Sequence, residues 1–284
     1  MKVIDSHVHI WDPSRLDYAW LGNNTELHKP FLPHDLPHTS NNTRGAVFVQ
    51  ANCREDQALK EVDWVGGLAA DWPGLAAVVA FAPIGHGDDV ARDLELLTQR
   101  PLVKGVRQLF QDLDDSFILA PQTLAGARKV AHAGFTFDAC VRFSQLDALA
   151  HFAAQVPELG IVLNHMGKPP VADGAFAPWS GAMRKLAKLP NVVVKLSGAG
   201  AEASPDRPLA HQALPFLEET LRIFGPQRCM IGSDWPVSVT DPAGYQEWID
   251  VVMNNALAGA SDSESDSVAW ATATRFYQID TSIS

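Results

Sequence analysis

Val3-Ile4-Asp5-Ser6-His7-Val8-His9 is a short β-branched run that stops in two histidines. On an extended strand, side chains two positions apart share a face, so His7 and His9 project together while Val8 packs the opposite way. Runs of the same kind recur at 46–51, 77–82, 102–107, 135–141, 161–165, 192–197 and 229–233, each bounded by Gly, Pro, Asn or Asp. Between most of them lie stretches of helical composition, at 55–71, 88–99, 121–133, 145–155, 180–188, 209–224 and 242–257. Strands alternating with single helices imply parallel pairing through right-handed crossovers, and eight such units close into a barrel. The fold expected is therefore α/β, a single (β/α)8 TIM barrel over residues 1–284, with an open doubly wound sheet as the alternative.

The first connection breaks the rhythm. Residues 12–44 are rich in Pro, Asn, His and aromatic residues and show no clear period, which makes a long β1–α1 loop. A connection of this length in a compact domain usually has a function. In a barrel it leaves the C-terminal, catalytic face, so Tyr18, Trp20, His28, Phe31, His34 and His38 are candidates for a lid or pocket wall. The Asn-x-Thr sequons at Asn23 and Asn41 are read as chance matches in this loop. Ser261 to Ser267 alternates small and acidic residues and reads as a solvated turn with N-cap character ahead of a last helix at 264–276.

Hydrophobic residues make up 46% of the 284-residue chain and charged residues 19%, a balance that can bury a core. Lys and Arg number 22 against 33 Asp and Glu, a net charge of -11 that disfavours nucleic acid and anionic membrane as partners. Three cysteines, Cys53, Cys140 and Cys229, lie far apart without any Cys-x-x-Cys, which fits a reducing compartment better than a disulfide framework. With no signal-like apolar segment near Met1, the expected location is the cytoplasm.

Three strands deliver polar groups to their C-terminal ends. The first ends in His7 and His9, the sixth in Asn164-His165 ahead of Gly167-Lys168-Pro169, and the eighth in Gly232-Ser233-Asp234-Trp235-Pro236. Neutral imidazoles and a carboxylate are good zinc ligands, and a barrel rim can gather them from different strands. The plainer readings are core histidines and a capping Asp234. Arg107 ends the fourth strand, where its guanidinium meets either a substrate oxygen or a core carboxylate such as Asp5 or Asp138. Lys195 at the end of strand 7 has the same two choices, a substrate oxygen or a core carboxylate, and a third, to snorkel to solvent. Gln50 at the end of strand 2 either meets a sugar hydroxyl or caps the next turn. No Gly-x-Ser-x-Gly elbow or phosphate-binding loop is present, and Gly198-Ala199-Gly200-Ala201-Glu202-Ala203 lacks the βαβ frame of a dinucleotide site.

Asp5 to Trp11 (Asp-x-His-x-His-x-Trp), Lys104 to Arg107 (Lys-Gly-x-Arg), Asn164 to Pro169, Lys195 to Gly198 (Lys-Leu-Ser-Gly) and Gly232 to Pro236 together resemble the amidohydrolase superfamily. More narrowly they are similar to its sugar-lactonase branch of fuconolactonase-like and rhamnonolactonase-like enzymes. The resemblance covers nearly the whole chain and implies a (β/α)8 barrel whose His7, His9, His165 and Asp234 form the hydrolytic site. The chain departs from the binuclear pattern: no His ends strand 5, which offers Asp138 instead, and Lys104 sits early on strand 4. One divalent ion, zinc or manganese, held by His7, His9, His165 and Asp234 is therefore expected. The same four groups acting directly, as in metal-free pyrone-dicarboxylate lactonases, are the alternative.

The activity expected is the opening of a small sugar-acid lactone. Asp234 is the candidate general base, His165 the proton donor to the leaving oxygen, and Arg107 a stabiliser of the oxyanion. Gln50, Lys195, Trp20 and Trp235 are candidate substrate contacts. A metal-dependent decarboxylase of the same superfamily and a non-catalytic binding barrel are the rival readings.

Overall fold

The computed structural model describes residues 2–22, 26–37, 43–239 and 242–280; His38 and both sequon asparagines lie outside them. Eight strands form one sheet in sequence order: β1 (Val3–Val8), β2 (Thr43–Val49), β3 (Leu75–Phe81), β4 (Val103–Leu109), β5 (Thr136–Cys140), β6 (Ile161–Leu163), β7 (Val192–Leu196) and β8 (Cys229–Ile231). Each of the seven ladders is parallel. The sheet closes on itself where Asp234 N donates to His7 O at 2.9 Å and His9 N donates to Trp235 O at 2.8 Å. This is the (β/α)8 barrel.

Helices follow the strands: α1 (Ala58–Gly67) after β2, α2 (Ala91–Thr98) after β3, the short α3 (Asp115–Ile118) and α4 (Pro121–His132) after β4, α5 (Leu146–Gln155) after β5, α6 (Phe176–Leu186) after β6, and α7 (Leu209–Phe224) after β7. Beyond β8 come α8 (Pro242–Asp250), α9 (Asp262–Asp266) and α10 (Thr272–Phe276), with π-helical turns at Val251–Ala256 and Ser267–Ala271. Ser261 caps α9 through a capping box with Glu264. The first crossover has no α-helix among the described residues, only 3-10 turns at Ala19–Leu21 and Pro33–Asp35. The outer face beside β1 is covered instead by the C-terminal segment around Ser267–Ala271 and α10.

Alternation along the strands separates two cores. Ala46 and Phe48 join the large cluster beneath the helices, whereas Val47 and Val49 join Ile4, Ala77, Val79, Val162, Val193 and Met230 inside the barrel. Ala273 and Tyr277 of the C-terminal segment belong to that inner cluster and plug the end of the barrel opposite the strand C-termini. An irregularity in the β1–β2 register between Asp5 and Val8 lets Ile4 and His7 both face inward. Asp5 turns outward, accepting from Ser233 N at 2.8 Å and from the Tyr245 hydroxyl at 2.9 Å.

Candidate active site at the C-terminal rim

His7, His9 and Asp234 converge where β1 and β8 end. His7 Nε2 and His9 Nε2 are 3.1 Å apart, and Asp234 Oδ1 stands 3.5 Å from the first and 3.4 Å from the second. His165 Nε2 reaches the same oxygen at 3.9 Å. All four side chains are buried. Two of them depend on backbone that only a constrained fold supports: His165 has φ of 56° and Asp234 of 59°, the left-handed region. Met166, Gly167 and Lys168 continue that conformation, which is why β6 stops at Leu163.

Partners fix the rings. His9 Nδ1 lies 2.7 Å from Val49 O, an acceptor, so its hydrogen sits there and Nε2 keeps a lone pair. His165 Nδ1 is 3.0 Å from Ser197 Oγ. His7 Nδ1 faces Lys195 Nζ at 3.3 Å, and Lys195 is bound in turn to Asp138 Oδ2 at 2.6 Å while the Tyr277 hydroxyl donates to Asp138 Oδ1 at 2.8 Å. Burial lowers all three histidines, His165 to about 3, and neighbouring Lys195 depresses His7 further. They are neutral imidazoles at pH 7. Burial would raise the Asp234 carboxyl, but His165, His9 and the Ser238 hydroxyl outweigh it and hold the group down to about 2. Asp234 is a carboxylate.

The donor set fits one divalent ion. Ligands around a tetrahedral zinc with bonds of about 2.0–2.1 Å stand roughly 3.3 Å apart, which the His7, His9 and Asp234 separations of 3.1 to 3.5 Å match. Asp138 is spoken for by Lys195 and Tyr277 and offers nothing to a second ion.

A cleft of about 220 Å³ opens above these groups, lined by His9, His165 and Asp234, by Arg107 and by Trp20 from the first crossover. The Trp20 indole donates to Ala51 O at 2.7 Å and packs edge-on against Trp11 at 5.2 Å. Arg107 is buried and pairs with neither Asp5 nor Asp138; it donates to the carbonyl of Gln50 at 2.5 Å, and its Nε has no partner among the described residues. Three expected substrate contacts are not in the lining. Lys195 is fully buried under His7 and takes the core-carboxylate alternative, because it faces the barrel interior and Asp138 holds it there. Gln50 is sealed in the wall, with its Oε1 accepting from Asn52 N. Trp235 is buried edge-on against Phe31 at 5.6 Å, anchoring the crossover. Of the other crossover residues, Tyr18 and Phe31 are buried in the core and His28 and His34 stand clear of the cleft. The structure adds Asn52, Gln111, Asp112 and Lys168 to the lining and Ser197 and Ser238 behind it. Of these, Lys168 and Ser197 stood in stretches that the sequence singled out.

Residues 4–279 match the amidohydrolase family model. The chain belongs to the amidohydrolase family. Two L-fucono-1,5-lactonases are similar over nearly their full length: that of Burkholderia multivorans is 34% identical over 97% of this chain and 96% of its own, and that of Burkholderia ambifaria 31% identical over 98% and 96%. A crystal structure of an amidohydrolase from Burkholderia multivorans with bound zinc superposes with a TM-score of 0.83 at 32% identity, covering 99% of this chain and 100% of that one. The amidohydrolase barrel thus carries its histidines and aspartate at the rim, where β/α barrels place their chemistry. No helix among the described residues is long and apolar enough to cross a membrane.

Proposed function

We propose that this amidohydrolase opens a small sugar-acid lactone to the aldonate. The observation that carries the reading is an ionised Asp234 ringed by three neutral histidines in a cleft walled by Trp20, in a chain similar to fuconolactonases throughout. Asp234 takes a proton from the attacking water as its oxygen adds to the lactone carbonyl. The unspent Arg107 Nε–H is available to the oxyanion, in a buried setting where such a bond is worth most. His165 Nε2, 3.9 Å from Asp234, carries the proton to the leaving ring oxygen, with Ser197 steering the ring. His7, His9 and Asp234 would hold a zinc or manganese ion, which when bound supplies Lewis acidity to the carbonyl and to water. The chain is read as one hydrolase domain, residues 1–284, acting on small carbohydrates in the cytoplasm, where its three free thiols are in keeping with a reducing environment. The test is proton release from a panel of aldonolactones in weak buffer. Acidification with at least one lactone is expected; release of carbon dioxide from aromatic acids, with no lactone turned over, would overturn the reading.

A further inference from the structure

Lys168 is a cation with unspent donors in the cleft wall. Its side chain is only 20% exposed, and its Nζ makes no hydrogen bond among the described residues; the nearest carboxylate, Glu202 Oε1, stands 3.6 Å away. Other lysine pairs close to 2.6–3.1 Å, as at Lys195 with Asp138, Lys185 with Asp147 and Lys129 with Asp88. Its ammonium therefore has donors free for a ligand in the cleft. The backbone is strained as well, because Lys168 has φ of 50° at the end of the left-handed run from His165 and is followed by Pro169 and Pro170. Conformations of this kind persist where a site needs them.

We infer that Lys168 and Glu202 form a specificity subsite for a hydroxyl group on a neutral, polyhydroxylated ring. A hydroxyl oxygen accepts from Nζ and its hydrogen is donated to Oε1, so one group satisfies both partners. A carboxylate has no hydrogen to give and would face the Glu202 charge. Glu202 ends the 3-10 turn Ala199–Glu202 after β7, and Lys168 follows the turn Asn164–Gly167 after β6, so adjacent loops supply the two halves. The inference rests on the lactonase reading for the kind of ring, and it assigns the selectivity of that site to two residues away from the reacting atoms.

The experiment is calorimetric binding of a polyhydroxylated δ-lactam, the non-hydrolysable counterpart of an aldonolactone, and of its monodeoxy analogues. The parent protein is expected to bind the full lactam roughly tenfold or more tightly than one monodeoxy analogue, as loss of a charge-assisted hydrogen bond dictates. Lys168→Met and Glu202→Gln should each bring that ratio to within about twofold, while Lys168→Arg keeps most of it. Melting curves of the same samples confirm folding. A ratio that survives in both variants, no binding of any lactam by the parent protein, or tighter binding of an anionic lactam would overturn the subsite. Lactones left unhydrolysed by a protein that still discriminates among the lactams would instead overturn the lactonase reading alone.

Discussion

His165 is packed so closely that its neighbour can only be glycine. A Cβ added to Gly198 would stand 2.3 Å from His165 Nδ1, and Gly198 itself has φ of 71°. Gly198→Ala should therefore displace the imidazole from Ser197, lowering kcat by about tenfold or more while Tm falls only a few degrees. Unchanged kcat in the folded variant would show that the ring position does not matter to turnover. Asp234→Asn removes the proton acceptor at nearly constant shape and should cost about 10²-fold or more in kcat. A loss of less than threefold would return Asp234 to a structural role in the turn where Ser238 meets its Oδ2.

The first crossover walls the rim, and the helix pair α6–α7 is joined through one carboxylate. Trp20 both lines the cleft and bonds to Ala51 O, so two substitutions are needed to separate the roles. Trp20→Ala should raise KM more than it lowers kcat, and Trp20→Phe, which keeps a ring and loses only the bond, should restore most of KM. Equal KM in all three proteins would leave Trp20 as an anchor. Between the two helices, Glu219 on α7 accepts from Arg222 at 2.6 Å and from Ser180 and Arg184 of α6 at 2.6 and 2.5 Å. Hydrogen bonding from Arg222, more than offsetting burial, depresses the Glu219 carboxyl from 4.5 to about 2. Its folded value lies below its unfolded one, so the stabilisation is fully present above pH of about 4.5 and lost as pH falls toward about 2. The gap in Tm between the parent and Glu219→Gln should accordingly shrink across that window, and a constant gap would contradict the assignment.

The barrel is closed at both ends by long-range contacts, and its stability should report on each. At the floor, Asp138→Ala would leave Lys195 charged and uncompensated in a sealed interior, a loss of roughly 3–5 kcal/mol visible in denaturant titration. At the rim, an ion that binds only the folded chain stabilises it by mass action, about 2.7 kcal/mol at a hundredfold excess over Kd. Protein stripped with chelator should melt lower and recover with zinc or manganese. No shift in either direction would remove the ion from His7, His9 and Asp234.

Much of this architecture was legible before folding, because strand and helix leave local periods. The eight strands fall where β-branched runs end in Gly, Pro or Asp, and His7, His9, His165 and Asp234 sit at strand ends that any barrel must gather on one face. Errors of extent came where tertiary pairing outweighs composition: β2 begins at Thr43 because it pairs with Val3, and β6 ends at Leu163 because His165 turns left-handed. Which of the other polar groups faces the cleft was legible only in part, since Arg107 and Trp20 line it and Gln50 and Lys195 do not. Lys195 and Lys168 each stand near the end of a strand, yet the first is sealed against Asp138 and the second opens toward Glu202. Residue type and spacing determine what chemistry a strand end can offer. The direction in which it is offered depends on register, on the β1 irregularity and on partners as far away in sequence as the 188 residues between His7 and Lys195 or the 240 between Asp5 and Tyr245, and those interactions exist only once the barrel has closed.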